Sequence, residues 1–573
     1  MQSPPRKKSK TLDTMDELDA KDLDRFSRQN AALGAETTAK LIKMKVLVYG
    51  LRGVGVETSK NLMLQGVGAL TMVDANPCTA ADVGVNFFIT EADAEAKASR
   101  AEVVAPRLRE LNPVCTVTTA PTLEDKLIIS HHAVVITDKS MSLSELVRID
   151  TLCRAHGVSF LYNFCGGHTT SIFVDHGDKH TINDADGEKP ITKLITGVSP
   201  LEGSNEVIIR YDTPEGQQPT ALDEGTFEIT DVIGLGLDGT ATTIEVYHPY
   251  KDPAKTVRAK FDPSDRPPYI SGGILTQKKV PKEISMCALT DKVKDPGNPF
   301  MGDMVLTNLI DMGAELQQHV ALIAALTFAQ EKGHLPVCRD ADDTARVLQL
   351  AKTVSADGTV NIPDFEVNDV WVSQYGQFCA VELQPMAAFT GGVLAQEVVK
   401  VTGKFTPIPG WLHFACPDAL PADKAESEDM SVDDEEPPAR DYAPRNSRYD
   451  ELAAVYGWHF VEKLGALRYF MVGCGALGCE FLKNFALNGV CCGETGSLTV
   501  TDADRIELSN LSRQFLFREH NVGQPKSRAA GVRNPHPHPH PHPHPHPHPH
   551  PHSHPQVIIP GADGEYGVTA GIR

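Results

Sequence analysis

At 573 residues the chain is long enough for several domains and a sizeable core, and its 12 cysteines show no zinc-ligand spacing. A formal net charge of -21 argues against nucleic acid as a partner and suits basic protein partners. Neither a secretory signal nor a transmembrane stretch is read, so no membrane partner is expected and the expected location is cytoplasm and nucleus.

Residues 1–19 read as a disordered basic N-terminus, in which PPRKKSK is either a nuclear-import signal or a solvated end. From Lys45 to Asn76, KVLVYGLRGVGVETSKNLMLQGVGALTMVDAN has the order buried strand, glycine turn, apolar-striped helix, second strand ending in Asp. Strands are expected at Val46–Tyr49, Leu70–Asp74, Val114–Thr118 and Ala133–Thr137, within an α/β segment spanning 20–179. Residues 180–265 alternate β-branched positions with Gly, Pro and Asp, which predicts a small inserted β domain; 266–283 return from it.

The period changes across 284–356, where LQQHVALIAALTFAQEKG predicts a helical insertion. The α/β segment resumes over 357–417 with an apolar helix expected at Thr390–Thr402, and 418–447 read as an acidic linker. A second copy of the strand-turn-helix-strand unit, YFMVGCGALGCEFLKNFALNGVCCGETGSLTVTDAD, runs from Tyr469 to Asp504 within 448–534. Nine Pro-His pairs from Pro535 to His552 open a low-complexity tract over 535–555, expected to be exposed and polyproline-like, and 556–573 carry no assignment. The tract's histidines can bind nickel, copper or zinc adventitiously, but no dedicated metal residues are assigned.

The second copy carries the intact GxGxxG, with Gly473, Gly475 and Gly478 around Ala476. Glycines there allow a tight turn and close phosphate approach, and the helix start supplies unpaired N–H groups. The motif alone admits nicotinamide, flavin or adenylate. Asp502 follows the next strand, where a carboxylate can accept ribose hydroxyls. Asn510, Arg513, Gln514 and Lys526 add a polar, cationic set that suits a triphosphate, with surface loop polarity and Arg513 in a salt bridge as the alternative. In the first copy Arg52 stands where Gly475 does, Asp82 replaces Asn510 and Val85 replaces Arg513, so the first copy reads as a structural pseudo-site. Arg28, in FSRQ ahead of the first strand, is the candidate to reach across to the second site; Arg448-Tyr449-Asp450 is read as the corresponding stretch near the second module.

These segments, together with PMAAFTGGVLAQEVVKVTGKFTPI and VTDADRIELSNLSRQFLFRE, resemble the N-terminal half of single-chain ubiquitin-activating enzymes, E1, over about residues 20–535. The resemblance implies an α/β fold of two Rossmann-like adenylation units of the ThiF/MoeB/E1 superfamily, the first inactive and interrupted by a β-rich first catalytic-cysteine half-domain and a four-helix bundle. It implies ATP and Mg2+ as cofactors, ubiquitin or a ubiquitin-like modifier as partner, and a monomer with an internal pseudo-dimer. By the same analogy Asp502 holds ribose, Asn510 lies by the phosphates and magnesium, Arg513, Gln514 and Lys526 orient the triphosphate, and Arg28 is an arginine finger; Arg28, Arg513 and Lys526 are the catalytic candidates.

This chain departs from the family pattern at Ser512, where Asn is usual, and in the segment after Lys526, which is four residues shorter than its first-copy match before the His-Pro tract begins. On the resemblance it is an incomplete form, truncated within the active adenylation domain and lacking the thioester cysteine and ubiquitin-fold domains. A conjugating enzyme would be a partner only with those restored. The alternatives are a nonenzymatic scaffold binding ubiquitin or a ubiquitin-like modifier, and a nicotinamide dehydrogenase, which the NLSRQ run and Lys526 disfavour.

Overall fold

A computed structural model describes residues 24–202, 204, 206–216, 222, 225–233, 242–247, 255–260, 269–308, 313–420, 441–531, 556–560 and 566–571. The basic N-terminus, most of the acidic linker and the His-Pro tract lie outside the described residues. The chain forms two compact units, one of Met1–His180, Ser285–Thr402 and Pro407–Arg573, the other of Thr181–Ile284 and Gly403–Thr406.

In the larger unit, α1 (Ser27–Leu33) and α2 (Ala35–Lys43) lead into β1 (Lys45–Tyr49), α3 (Gly53–Gln65) and β2 (Ala69–Val73). After α4 (Ala80–Val85) and α5 (Arg100–Arg109) come β3 (Thr116–Ala120), β4 (Ala133–Ile136), α6 (Leu143–His156), β5 (Ser159–Gly166) and β6 (Thr169–Asp175). β1 lies between β2 and β4, parallel to both, and Val46, Leu47 and Val48 are fully buried, as expected of a strand covered on both faces. β3 starts at Thr116, two residues later than the pattern predicts. The reason is Asn112, whose Oδ1 accepts from Val114 N at 3.1 Å while its Nδ2 donates to Met63 O, holding the Asn-Pro turn out of the ladder.

β7 (His180–Ile182) starts at the last residue before the smaller unit, which carries the rest of it together with β8 (Thr192–Pro200), β9 (Glu206–Asp212), β10 (Gly225–Ile233), β11 (Thr242–Tyr247), β12 (Thr256–Lys260), β13 (Ser271–Gln277) and β14 (Lys282–Ile284). Six of them close into a barrel in the order β10-β11-β12-β9-β8-β13, around Val207, Ile209, Phe227, Ile229, Ile244 and Leu275. Over the described side chains, inward apolar and outward polar positions alternate, as in β9 and β12, which is the pattern of a closed barrel. The barrel runs to Gln277, beyond the boundary at 265 that the punctuation of the sequence suggests.

Back in the larger unit, α7 (Ala314–Lys332), α8 (Ala341–Ala356) and α9 (Asp369–Phe378) pack on one another, with Asp340 and Asn368 capping the latter two. α9 lies past the expected end of the helical insertion at 356. α10 (Gln384–Lys400) starts six residues before the expected Thr390, because Pro385 is well suited to a first helical turn. It packs on α3, and Gly391 lies against Glu57 and Thr58, where a side chain would collide. β15 (Trp411–Ala415) completes a seven-stranded sheet ordered β15-β6-β5-β4-β1-β2-β3.

The second copy comprises α11 (Asp450–Tyr456), α12 (Trp458–Ala466), β16 (Arg468–Val472), α13 (Ala476–Leu487), β17 (Ser497–Thr501) and α14 (Lys526–Gly531). α14 starts at Lys526, as α5 does at Arg100, and is described as far as Gly531, the last described residue before Gln556. The tail, unassigned from sequence, forms β18 (Gln556–Pro560) and β19 (Tyr566–Gly571); β18 runs parallel to β17, as β3 does to β2. Among the described residues no helix is long and apolar enough to cross a membrane.

Candidate nucleotide site

Each copy turns from strand to helix through a glycine with positive φ, +90° at Gly50 and +98° at Gly473, a region open mainly to glycine. The next glycine in register packs against that turn: a Cβ at Gly478 would lie 2.4 Å from Gly473 O, and one at Gly55 only 1.9 Å from Gly50 O. Both copies also tie the turn to the aspartate after the second strand. Leu51 N donates to Asp74 Oδ2 at 2.8 Å, and Cys474 N to Asp502 Oδ2 at 2.5 Å. Asp502 Oδ1 further accepts from Asp504 N at 2.8 Å, so the carboxylate expected to face ribose also closes the loop itself.

The two helix starts differ in what meets them. At α3, Val54 N donates to Glu382 Oε1 at 2.8 Å, so a carboxylate occupies the place where an anion would bind. Arg52 fills the rest, with Nη2 2.7 Å from Glu451 Oε1 and Nε 3.1 Å from Asp82 Oδ1, while Arg100 Nε lies 2.9 Å from Asp82 Oδ2. Burial opposes the charge on Arg52, but Glu451, Glu382 and Asp82 more than offset it and raise its pKa. At α13 the corresponding amide belongs to Leu477. Among the described residues nothing accepts from it, and a Cβ at Gly475 would have no atom within 4 Å. This open donor set at a helix start fits a phosphate group.

Around the second loop, Asn510 and Gln514 are buried in and beside the 3-10 turn Leu508–Ser512, and Gln514 Oε1 has no donor among the described residues. Asn510 Oδ1 accepts from Glu507 N, and Arg513 Nη1 donates to Ser509 O at 2.7 Å. Lys526 begins α14, with Nζ 2.8 Å from the exposed Asp504 carboxylate. Gly473, Gly475, Ala476, Gly478 and Asp502 therefore form one loop, with Lys526 tied to it through Asp504. Among the described residues no cluster of three or more His, Cys, Asp or Glu is arranged to hold a metal. Magnesium commonly rides on substrate phosphates with one or two carboxylates, so a preformed cluster is not a requirement for it.

Arg28 is exposed on α1, and α1 packs against the Leu508–Ser512 turn. The helix ends clarify its counterpart. α1 and α11 both end at a glycine of the same conformation, Gly34 (φ 88°, ψ 152°) and Gly457 (φ 84°, ψ 155°). That aligns Arg25 with Arg448, Phe26 with Tyr449 and Arg28 with Glu451. The sequence reading, which set Arg28 beside Arg448-Tyr449-Asp450 only loosely, is corrected to Glu451, the residue that enters the first copy's loop and binds Arg52.

The sequence reading missed the residues that join the copies. Lys60 Nζ lies 2.6 Å from Glu480 Oε1 and 2.9 Å from Glu57 Oε2; Lys483 Nζ lies 2.8 Å from Glu480 Oε2 and also bonds Glu57. Burial would raise the Glu57 carboxyl, yet the two ammonium groups hold it down at about 2. Burial lowers both lysines; the carboxylates raise Lys60 overall, whereas Lys483, also repelled by Lys60, stays lowered. Arg25, 2% exposed, reaches Glu519 at 2.5 Å, and its counterpart Arg448 reaches Glu91. The repeated E-x-x-K-N of Glu57 to Asn61 and Glu480 to Asn484 was the available signal.

Cys474 and Cys479 are fully buried, and burial pushes the thiols of Cys78 and Cys338 up to about 11 and those of Cys115, Cys165 and Cys379 to about 12. Cys416 is half-buried at the end of β15 and likewise raised.

The ThiF family profile matches residues 26–418 and 449–536, and the chain belongs to the ThiF family. Its fold is the α/β fold of the ThiF/MoeB/E1 superfamily, with Rossmann-like topology and inserted strands and helices. It is 35% identical over 529 residues to "Ubiquitin-like modifier-activating enzyme 1" of Oryctolagus cuniculus, covering 89% of this chain. It is 36% identical over 517 residues to "Ubiquitin-activating enzyme E1 2" of Triticum aestivum and 34% over 517 to "Ubiquitin-like modifier-activating enzyme 6" of Homo sapiens. The chain spans 46% of the length of each of these relatives.

Proposed function

We propose that the second glycine loop holds ATP with magnesium and serves adenylation of the C-terminal carboxylate of ubiquitin or a ubiquitin-like modifier. The observation carrying this reading is the contrast at equivalent helix starts: Val54 N is capped by Glu382, and the amide of Leu477 is open. In this reading the glycine backbone cradles phosphate and Asp502, fixed by the loop amides, turns its remaining lone pairs to ribose. Lys526 exchanges an exposed carboxylate, a weak surface partner, for phosphate. Arg513 leaves a backbone carbonyl for the triphosphate. Arg28 enters from the first copy, as Glu451 enters the first copy's loop with the opposite charge.

The modifier carboxylate is the nucleophile: it attacks the α-phosphorus, an acyl-phosphate bond forms, and pyrophosphate leaves. Arg28, Arg513 and Lys526 stabilise the charge that develops on the departing oxygens. Magnesium, when bound, neutralises phosphate charge. Transfer to a cysteine belongs to the complete family enzyme that the resemblance implies, and no cysteine of this chain is assigned to it.

The test is modifier-dependent, magnesium-dependent exchange of pyrophosphate into ATP, alongside direct MgATP binding. Exchange or binding lost in Arg513→Ala supports the assignment; an effect of zero in Arg513→Ala and Lys526→Ala overturns it. Saturable modifier binding with no nucleotide dependence and no exchange is the outcome expected of a nonenzymatic scaffold.

A further inference from the structure

The nucleotide run of the second copy rests on charged groups of the first. Phe515, directly after Arg513 and Gln514, is 1% exposed. Lys60 Nζ lies 4.8 Å from the centre of its ring and Lys483 Nζ 5.6 Å. Phe87, its counterpart in the first copy, meets the same ring edge-on at 5.3 Å. Both ammonium groups are themselves held by Glu57 and Glu480. A few residues on, Arg25 and Glu110 of the first copy hold Glu519 and Arg518.

We propose that Lys60 is a positioning residue for the nucleotide site: with Lys483 it fixes the Phe515 ring and thereby sets Asn510, Arg513 and Gln514 in place. The proposal rests on the nucleotide reading of the second loop. Lys60 touches no reacting atom in it. A desolvated ammonium over an aromatic face is attracted by the ring quadrupole, and here its carboxylate partners stop it from moving away. The two lysines and the two carboxylates occupy equivalent places in the two copies, so the cluster couples them directly. A change in how the first copy packs is therefore felt at the run 508–514 of the second.

The experiment uses the full chain with Lys60→Met, Lys60→Arg and Phe515→Leu. Phe515→Leu leaves every charge paired and keeps the position apolar, so it reports even where Lys60→Met folds poorly. Amide hydrogen exchange without nucleotide is the first readout. Phe515→Leu should speed exchange across 508–521 by about tenfold, with β1 and β4 unchanged, whereas Lys60→Met, which also leaves buried carboxylates short of a partner, should speed it there at least as much on top of a general loss of stability. MgATP affinity, measured by calorimetry, should fall about tenfold in both, and Lys60→Arg, which keeps charge and ring contact, should restore it. In Phe515→Leu, exchange that rises equally through the whole unit, or unchanged affinity, overturns the positioning role while leaving the nucleotide site standing. A wild-type chain that binds no MgATP overturns the nucleotide reading, and the positioning role with it.

Discussion

Lys60 and Glu480 face each other across the two copies of the module at 2.6 Å, and Lys483 and Glu57 make the reciprocal pair. Each copy thus contributes one lysine and one carboxylate at equivalent helical positions. Buried ion pairs of this kind fix register more than they add stability, but removing one partner leaves an uncompensated charge. Glu57→Gln is expected to destabilise the larger unit by about 3 kcal/mol or more, read by denaturant unfolding. A double-mutant cycle with Lys483→Met should show strong coupling, and additivity of the two changes would contradict the pairing.

Acid should act through the same carboxyl. Glu57 is held at about 2 in the folded chain, below the ordinary carboxylate value, so its contribution is present above the unfolded pKa and lost as pH falls through about 4 toward 2. The loss amounts to about 3 kcal/mol, and Glu57→Gln should flatten the acid limb of the stability profile over that window.

One nucleotide per chain is the expected stoichiometry. Glu382→Ala frees Val54 N but leaves Arg52, so it should cost about 1–3 kcal/mol of stability without creating a second site. Calorimetry finding two MgATP per Glu382→Ala chain would show that the carboxylate alone seals the first copy.

Copying the first loop into the second separates binding from folding. Gly475 has φ -79° and open space where a Cβ would lie, so Gly475→Arg should change stability by no more than about 0.5 kcal/mol. It should nevertheless abolish MgATP binding by filling the phosphate approach. Gly478→Ala, whose Cβ would meet Gly473 O, should instead distort the turn and lower stability by about 1–3 kcal/mol. Equal melting temperatures for the two variants would argue against this geometry.

Asp150 predicts an alkaline weakening. It is buried, faces Asp175, Arg154 and the Leu289 amide, and burial followed by the Asp175 charge pushes its carboxyl up to about 7. Because the folded pKa is raised, this group's stabilisation is full below the unfolded pKa near 4 and is lost as pH rises to about 7. Asp150→Asn should remove that slope and be less harmful at pH 8 than at pH 5, measured by urea unfolding at both.

Much of the α/β frame was legible because glycine turns and apolar strands are local. Val46–Tyr49 and Ala133–Thr137 were placed to within a residue, since a doubly covered parallel strand must be continuously apolar. Val114 and Thr390 were misplaced as element starts because Asn112 and Pro385 act through a side-chain bond and a ring constraint that hydrophobic period does not register. The tail strand Gln556–Pro560 escaped because pairing with β17 is a long-range choice made across a repetitive tract.

The sequence by itself determined that one turn-and-helix unit occurs twice, that the second copy keeps all three glycines, and that the polar and cationic residues Asp502, Asn510, Arg513, Gln514 and Lys526 follow it. Those are properties of short segments, where backbone conformation and side-chain chemistry are set by neighbours. Tertiary structure alone decided how the first loop is sealed, because Glu382 and Glu451 reach it from 328 and 399 residues away. It also decided that Arg28 corresponds to Glu451 and that Lys60 lies against Phe515. Such contacts arise where two chain segments bury the same surface, and charge there is tolerated only when the distant partner is already in place.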